Sequence, residues 1–459
     1  MFAGARAIGD DSSVAHGVCV VGAGTSGLAV ARALLARDIP FDCYESAESI
    51  GGMWRVRQDG ARSAAFGSLR TNSSAKHMQF PCFRTSKYGG FWTRDEFGHY
   101  LESFARHYQI LDRVKLRSSV TSIEPRTGGT WRVTVSHNDV VSQQPFDSVV
   151  VASGHHWCPK MPQLPGPFSG QLLHVVDYTD PTPFVDKTVI IVGLGNSAAD
   201  VAVEVSSVAR QTLLSARNGV HVIPRHIFGL PYDAFDTDLL DRAIPTRIAR
   251  SLYVAALRVA RGRLGDYGLP NPAHQLRQRT ATVTSELLPR LRQGSIESRG
   301  EITGIDGNVV QFSAGAPVRA DAIVCATGYS IAFPFLQSEV IGDPNSGVPL
   351  WRGILHPEIP NLYFAGLLDV LGAFPPVVEQ QGEWIAAVMN HEIPLPPASM
   401  MWETITRERE RDLRKYVGDR HYTLFHERFP YVRELKRDER LAGQNARANG
   451  RVIAGSRCR

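Results

Sequence analysis

The 459-residue sequence has no two cysteines placed to act together. Cys19, Cys43, Cys82, Cys158, Cys325 and Cys458 are scattered along the chain. That excludes a CxxC redox centre and a zinc half-site, and it favours a reduced, cytoplasmic setting. Long apolar runs are missing too: no stretch approaches the roughly 18 residues of a membrane span. The opening MFAGARAIGD lacks the apolar block of a signal peptide. A soluble protein without a membrane anchor is the expectation, and Asn72-Ser73-Ser74 is then a chance match to a glycosylation acceptor. Charge of one sign is also scarce. Fifty Lys and Arg against 45 Asp and Glu leave a formal charge of only +5, so nucleic-acid binding is not expected. Nothing calls for a metal.

What remains is ordinary for a globular protein of two or three domains: 43% hydrophobic and 21% charged residues. Residues 17–22 form a β-branched run ending in glycines, and 28–37 continue with helical spacing, a β-turn-α unit. Phe41–Ser46, Trp131–Ser136 and Phe146–Gly154 read as further strands of a first unit that ends near residue 155. A proline-rich linker, CPKMPQLPGPF, follows. The pattern then repeats, with KTVIIVGLGNSAADVAVEV as a second β-turn-α and Gln211–Arg217 as its next strand. Ala320–Tyr329 and Asn361–Leu367 are strands ending in glycine turns, expected to return to the first sheet.

The fold expected is therefore α/β, with two Rossmann-like dinucleotide-binding domains, one inserted in the other. Residues 17–160 and 320–398 would form the first, and 165–319 the second, with a helical insertion at about 226–292. A flexible tail is expected at 1–16, a helical segment at 399–442 and a disordered basic tail at 443–459. Within the insertion, Arg247, Arg250, Arg258 and Arg261 share one helical face. That face is either solvated or caps a cofactor cleft.

The two glycine loops differ in a way that names their ligands. Gly22, Gly24 and Gly27 form GxGxxG after a strand and before a helix, and Glu45 ends the following strand. This arrangement seats a pyrophosphate on a helix N-terminus and bonds a ribose hydroxyl pair. Glu45 would repel a 2′-phosphate, because two like charges about 4 Å apart cost on the order of a few kcal/mol. The second loop, Gly193 to Ala198, is GxGxxA, and Arg217 stands where the first unit has its acid. Arginine there favours NADPH over NADH. FAD in the first loop and NADPH in the second is the natural pairing, since two loops let two cofactors meet.

Phe168, Gly170, His174 and Tyr178 match the FxGxxxHxxxY fingerprint of flavin-containing monooxygenases, which the chain also resembles in GAGTSGL, GGMW, TNSS, GLGNSAAD, CATGY and LGAFPPVVEQQ, over about residues 17–420. The resemblance implies an NADPH- and O2-dependent flavin monooxygenase, a bacterial or plant-type member, that oxygenates N or S of a small molecule through a C4a-hydroperoxyflavin. Baeyer-Villiger oxygenation of a ketone and NADPH oxidation without oxygen transfer are the alternatives within enzymes; a cofactor-binding regulator lies outside them.

By the resemblance, Gly22, Ala23, Gly24, Thr25, Ser26, Gly27, Glu45, Gly52, Met53, Trp54, Asn72 and Ser73 line FAD. Thr71, Asn72, Gly193, Gly195, Asn196, Ser197, Ala198, Ala199, Asp200 and Arg217 line NADP. Asn72 alone reads as a turn residue; the resemblance makes it the catalytic asparagine. His174 is expected to be structural. Cys325 and Asn218 depart from the family pattern, and a homodimer is compatible with the sequence.

Overall fold

The computed structural model describes residues 17–55, 65–87, 89–244, 246–416 and 424–448. Its frame is a pair of five-stranded sheets, parallel throughout. The first runs in the order Leu362–Phe364, Ser148–Val151, Val18–Val21, Phe41–Tyr44, Val114–Lys115. The second runs Glu297–Arg299, Gln211–Ser215, Thr188–Val192, Ala322–Cys325, Gln171–His174. The central strands Val18–Val21, Ser148–Val151, Thr188–Val192 and Ala322–Cys325 are short, largely apolar runs, as sheets covered on both faces require, while the edge strand Glu297–Arg299 is polar. Every strand of the second sheet falls in sequence between Ser148–Val151 and Leu362–Phe364, which are neighbours in the first. The second domain is thus inserted in the first, and the fold is α/β with two Rossmann-like domains.

Two assignments change. Ala320–Tyr329 was expected in the first sheet, yet Ala322–Cys325 pairs with Val189–Val192 in the second. Only Leu362–Phe364 returns to the first, so the boundary expected at residue 320 moves beyond Cys325. Both segments are apolar and glycine-ended, and the partner strand decides between them. The tail expected to be disordered from Gly443 is helical as far as Ala448, at the end of the helix Arg428–Ala448. Tyr431, Leu435 and Ala442 of that helix are buried in the first domain's core, so packing overrides the basic composition. Residues 1–16 and 449–459 lie outside the described residues.

Trp131–His137 belongs to a separate antiparallel sheet with Ser118–Pro125 and Val140–Phe146. The helix Thr25–Leu35 packs closely on the helix Pro375–Met389: a Cβ on Gly382 would lie 2.8 Å from the Ala29 carbonyl oxygen. Arg32 on the first helix and Arg37 just past its end both pair with Glu383 on the second. This contact sets the helix that follows the first glycine loop. Among the described residues, no helix is long and apolar enough to cross a membrane.

Candidate active site

Both glycine loops open onto one cavity of about 1620 Å3 at the carboxyl ends of the parallel strands, where open α/β sheets bind ligands. A site for one drug-sized molecule occupies roughly 300–1,000 Å3, so the space exceeds the needs of a single small ligand.

In the first loop Gly22 has φ +100°, and a Cβ there would lie 2.8 Å from the Ala152 carbonyl oxygen. A Cβ on Gly27 would lie 1.8 Å from the Gly22 carbonyl oxygen, so the helix can approach the strand only with glycine at 27. Gly24 caps that helix with no side-chain hydrogen bond, leaving its first N–H groups for a ligand. Gly22, Gly24, Thr25 and Ser26 line the cavity, as do Glu45, Gly52, Met53, Trp54 and Ser73. Ala23 and Gly27 act from behind the wall. Glu45 is buried, its Oε2 accepting the Ala23 N–H at 2.8 Å and its Oε1 the Ala47 N–H at 2.9 Å. The carboxylate is thereby fixed at the cavity edge.

The second loop repeats the plan with more room. Gly193 has φ +124°, and a Cβ there would lie 2.5 Å from the Ala326 carbonyl oxygen, whereas nothing lies within 4 Å of one on Gly195. Gly195, Asn196, Ser197 and Asp200 line the cavity; Ala198 and Ala199 are buried on the inner face of their helix. Asp200 meets Arg225 at 3.4 Å, and burial pushes its carboxyl up to about 6 against the opposing pull of that arginine. Arg217 is 71% exposed, 3.7 Å from Glu301. It sits outside the wall.

Thr71, expected beside NADP, does not reach the cavity. It is fully buried, and its hydroxyl accepts the Trp92 N–H at 3.0 Å while its own N–H goes to the Trp92 carbonyl. Its neighbour Asn72 is open to the cavity and has no hydrogen-bond partner among the described residues.

The Asn72 loop is held from the insertion. Asp233 Oδ2 accepts the Ser74 N–H at 2.7 Å. The Asp233 carbonyl accepts from His77 Nε2 at 2.8 Å, and His77 Nδ1 lies 3.2 Å from an Arg428 N–H donor. The helix Thr246–Arg261 places Ala249, Arg250, Leu252 and Tyr253 in the cavity wall, so it caps the cleft. Of the arginine face, Arg250 lines the cavity, whereas Arg258 faces solvent.

His174 is buried and structural, its Nδ1 accepting the Val176 N–H and its Nε2 donating to the Gly328 carbonyl. Tyr178 stacks on Phe184 with centroids 5.9 Å apart. The fingerprint residues His174 and Tyr178 therefore pack the second domain and do not line the cavity.

Sequence reasoning missed Asp233 and the pair His155–His156. These histidines follow the strand Ser148–Val151 and share the cavity wall with Asp369, their ligand-type atoms within 4.8 Å of one another. His156 is open to the cavity, and the surrounding walls with the neighbouring His155 hold its imidazole below the usual range. Two adjacent histidines at a strand's carboxyl end were the available signal; Asp233 had none.

The chain matches the flavin-binding monooxygenase-like family over residues 15–440. It is 32% identical over 422 residues to flavin-containing monooxygenase 3 of Rattus norvegicus, covering 88% of this chain and 79% of that one. It is 30% identical over 424 residues to flavin-containing monooxygenase 5 of Oryctolagus cuniculus, covering 89% and 79%. Among solved structures it resembles S-allyl-L-cysteine S-oxygenase from Allium sativum, with TM-score 0.69, 25% identity and coverage of 95% and 93%. The fold of cyclohexanone monooxygenase is also similar, at TM-score 0.69 and 16% identity over 95% and 98% of the two chains. The chain belongs to the flavin-binding monooxygenase-like family and is an FAD-dependent NADPH monooxygenase.

Proposed function

We propose that this monooxygenase transfers oxygen to a nitrogen or sulfur lone pair of a small molecule, in preference to a ketone carbon. The observation that carries the reading is Asn72, a neutral amide without a partner, set in the cavity that both glycine loops share. An amide donates hydrogen bonds but brings no positive charge. It suits oxygen delivered as an electrophile to a lone pair. Attack on a ketone needs an anionic oxygen nucleophile, which a cation would favour. S-oxygenation by the similar Allium sativum enzyme supports the same choice.

FAD supplies hydride acceptance and oxygen activation. The first loop, with Glu45, Gly52, Met53, Trp54 and Ser73, holds it; the second loop, Gly195 to Asp200, holds NADPH. The helix Thr246–Arg261 keeps water from the reacting centre, and the Asp233 clamp sets the position of Asn72.

Purified protein mixed with NADPH in air, with thioethers, amines and cyclic ketones tested separately, should add one oxygen to the first two. Mass spectrometry showing lactone formation faster than sulfoxidation would overturn the reading. NADPH consumption that yields only hydrogen peroxide across the panel would mark an oxidase. Asn72→Ala should still consume NADPH but divert turnover to hydrogen peroxide. Unchanged coupling in that variant would remove Asn72 from the chemistry.

A further inference from the structure

Charged groups on the insertion's side of the cavity have charged or neutral partners, with Arg279 as the exception. Asp233 holds the Ser74 N–H at 2.7 Å, Asp236 lies 3.8 Å from Arg428, and Asp241 lies 3.0 Å from Arg433 and 3.9 Å from Arg277. Asp200 pairs with Arg225 at 3.4 Å, and Arg250 bonds Gln275. Arg279 has neither an ion-pair nor a hydrogen-bond partner among the described residues. It is half-buried and lines the cavity. A half-buried guanidinium without a counter-charge leaves its N–H donors available to an anionic ligand.

The position of Arg279 is tied to the second glycine loop. Three residues on, Thr282 Oγ1 donates to the Leu194 carbonyl at 2.5 Å, and the Val283 N–H donates to Asn196 Oδ1 at 2.7 Å. Three residues of extended chain span at most about 10 Å, and the arginine stem adds further reach. The helix Asn196–Val205 begins at that loop with no side-chain cap and no acid in its first turn. Gly195 to Ser197, which begin that helix, and Arg279 line the same cavity, and both a free helix N-terminus and an unpaired guanidinium favour an anion.

We propose that Arg279 is the cavity's anion-recognition residue, reading either a phosphate group of the nicotinamide cofactor or a carboxylate on the oxygenated substrate. It supplies from inside the wall the positive charge that Arg217, exposed beside Glu301, supplies only at the surface. The assignment deepens the reading above, on which it rests for the identity of the ligands.

Binding titrations of the flavin-loaded protein, followed by the flavin absorbance spectrum, test it without turnover. NADP+ is one ligand; the others are a thioether carboxylic acid and its methyl ester. If the anion is the cofactor's, Arg279→Ala should raise the NADP+ dissociation constant at least tenfold. If it is the substrate's, the acid should weaken by that factor while the ester stays within twofold. Arg279→Lys should recover part of whichever loss occurs. Unchanged NADP+ affinity together with unchanged preference between acid and ester overturns the assignment. A wild-type protein that oxygenates nothing, but whose NADP+ affinity still falls in Arg279→Ala, would overturn the oxygenation reading and leave the arginine in place.

Discussion

At the end of the strand following the first glycine loop, a buried carboxylate, Glu45, is fixed by two backbone N–H groups; at the matching place in the second domain, Arg217 stands in solvent near Glu301. The loops show the same contrast. Gly27 admits no side chain at all, while the second loop carries Ala198 and leaves open space at Gly195. A site already ordered spends less of its binding energy on immobilising side chains, and it releases its ligand slowly. A loose site orders on contact and exchanges. The first arrangement suits a resident FAD and the second a nicotinamide cofactor that is consumed and replaced.

The sharpest way to break the contrast is at Gly27. Gly27→Val would force a Cβ against the Gly22 carbonyl oxygen, an overlap costing about 1–3 kcal/mol or more. We expect purified protein with little bound flavin, read from the flavin-to-protein absorbance ratio. The mirror change, Ala198→Gly, should cost only about 1 kcal/mol of helix stability and leave flavin content intact. Full flavin loading in Gly27→Val would erase the difference between the loops.

Next in size is Glu45→Ala, which removes a charged hydrogen-bonding group worth about 1.5–3 kcal/mol. Flavin affinity measured by equilibrium dialysis should fall by roughly ten- to a hundred-fold, and NADP+ affinity should hold.

Asp200 probes the second site through pH. Its folded carboxyl titrates at about 6, above the ordinary value, because of burial. The folded state therefore holds that proton more tightly than the unfolded chain. The stability this gives is complete below about pH 4 and is lost as pH rises through about 6, up to about 3 kcal/mol before the Arg225 pairing offsets it. Urea unfolding of wild type and Asp200→Asn, compared across that window, should show the difference in stability drifting with pH. A constant difference would mean that the carboxyl stays ionised throughout.

The smallest effect is expected at Arg217. Exposed pairs contribute about 0.2–1 kcal/mol, so Arg217→Ala should raise the NADP+ dissociation constant by no more than about fivefold and leave NAD+ binding unchanged. A loss beyond twentyfold would show that this arginine swings onto its ligand and would bring the two sites closer in character.

Much of this was legible in the chain because the relevant signals are local. A β-branched run, a glycine turn and a helix occupy adjacent positions, and Glu45 ends the strand that comes next, so both loops and their order followed from short windows. Sheet membership was not local. Ala322–Cys325 looks like Leu362–Phe364 until its partner Thr188–Val192 is in view. Thr71 lies one residue from Asn72, yet its side chain turns into the protein, a choice made by Trp92 some 20 positions away. The clamp from Asp233 spans 159 positions to Ser74, and no periodicity reports such a contact.

That clamp bears on how such enzymes could be recombined. Asn72, to which the proposed function assigns the reacting centre, belongs to the first domain, but its loop is moored to an aspartate carried by the insertion. A chimera that exchanges residues 226–292 for another protein's segment would thus alter more than the lid. Unless the donor brings an equivalent acid, the asparagine would lose its mooring while its own domain stayed intact, so the insertion and the Asn72 loop should be transplanted as one unit.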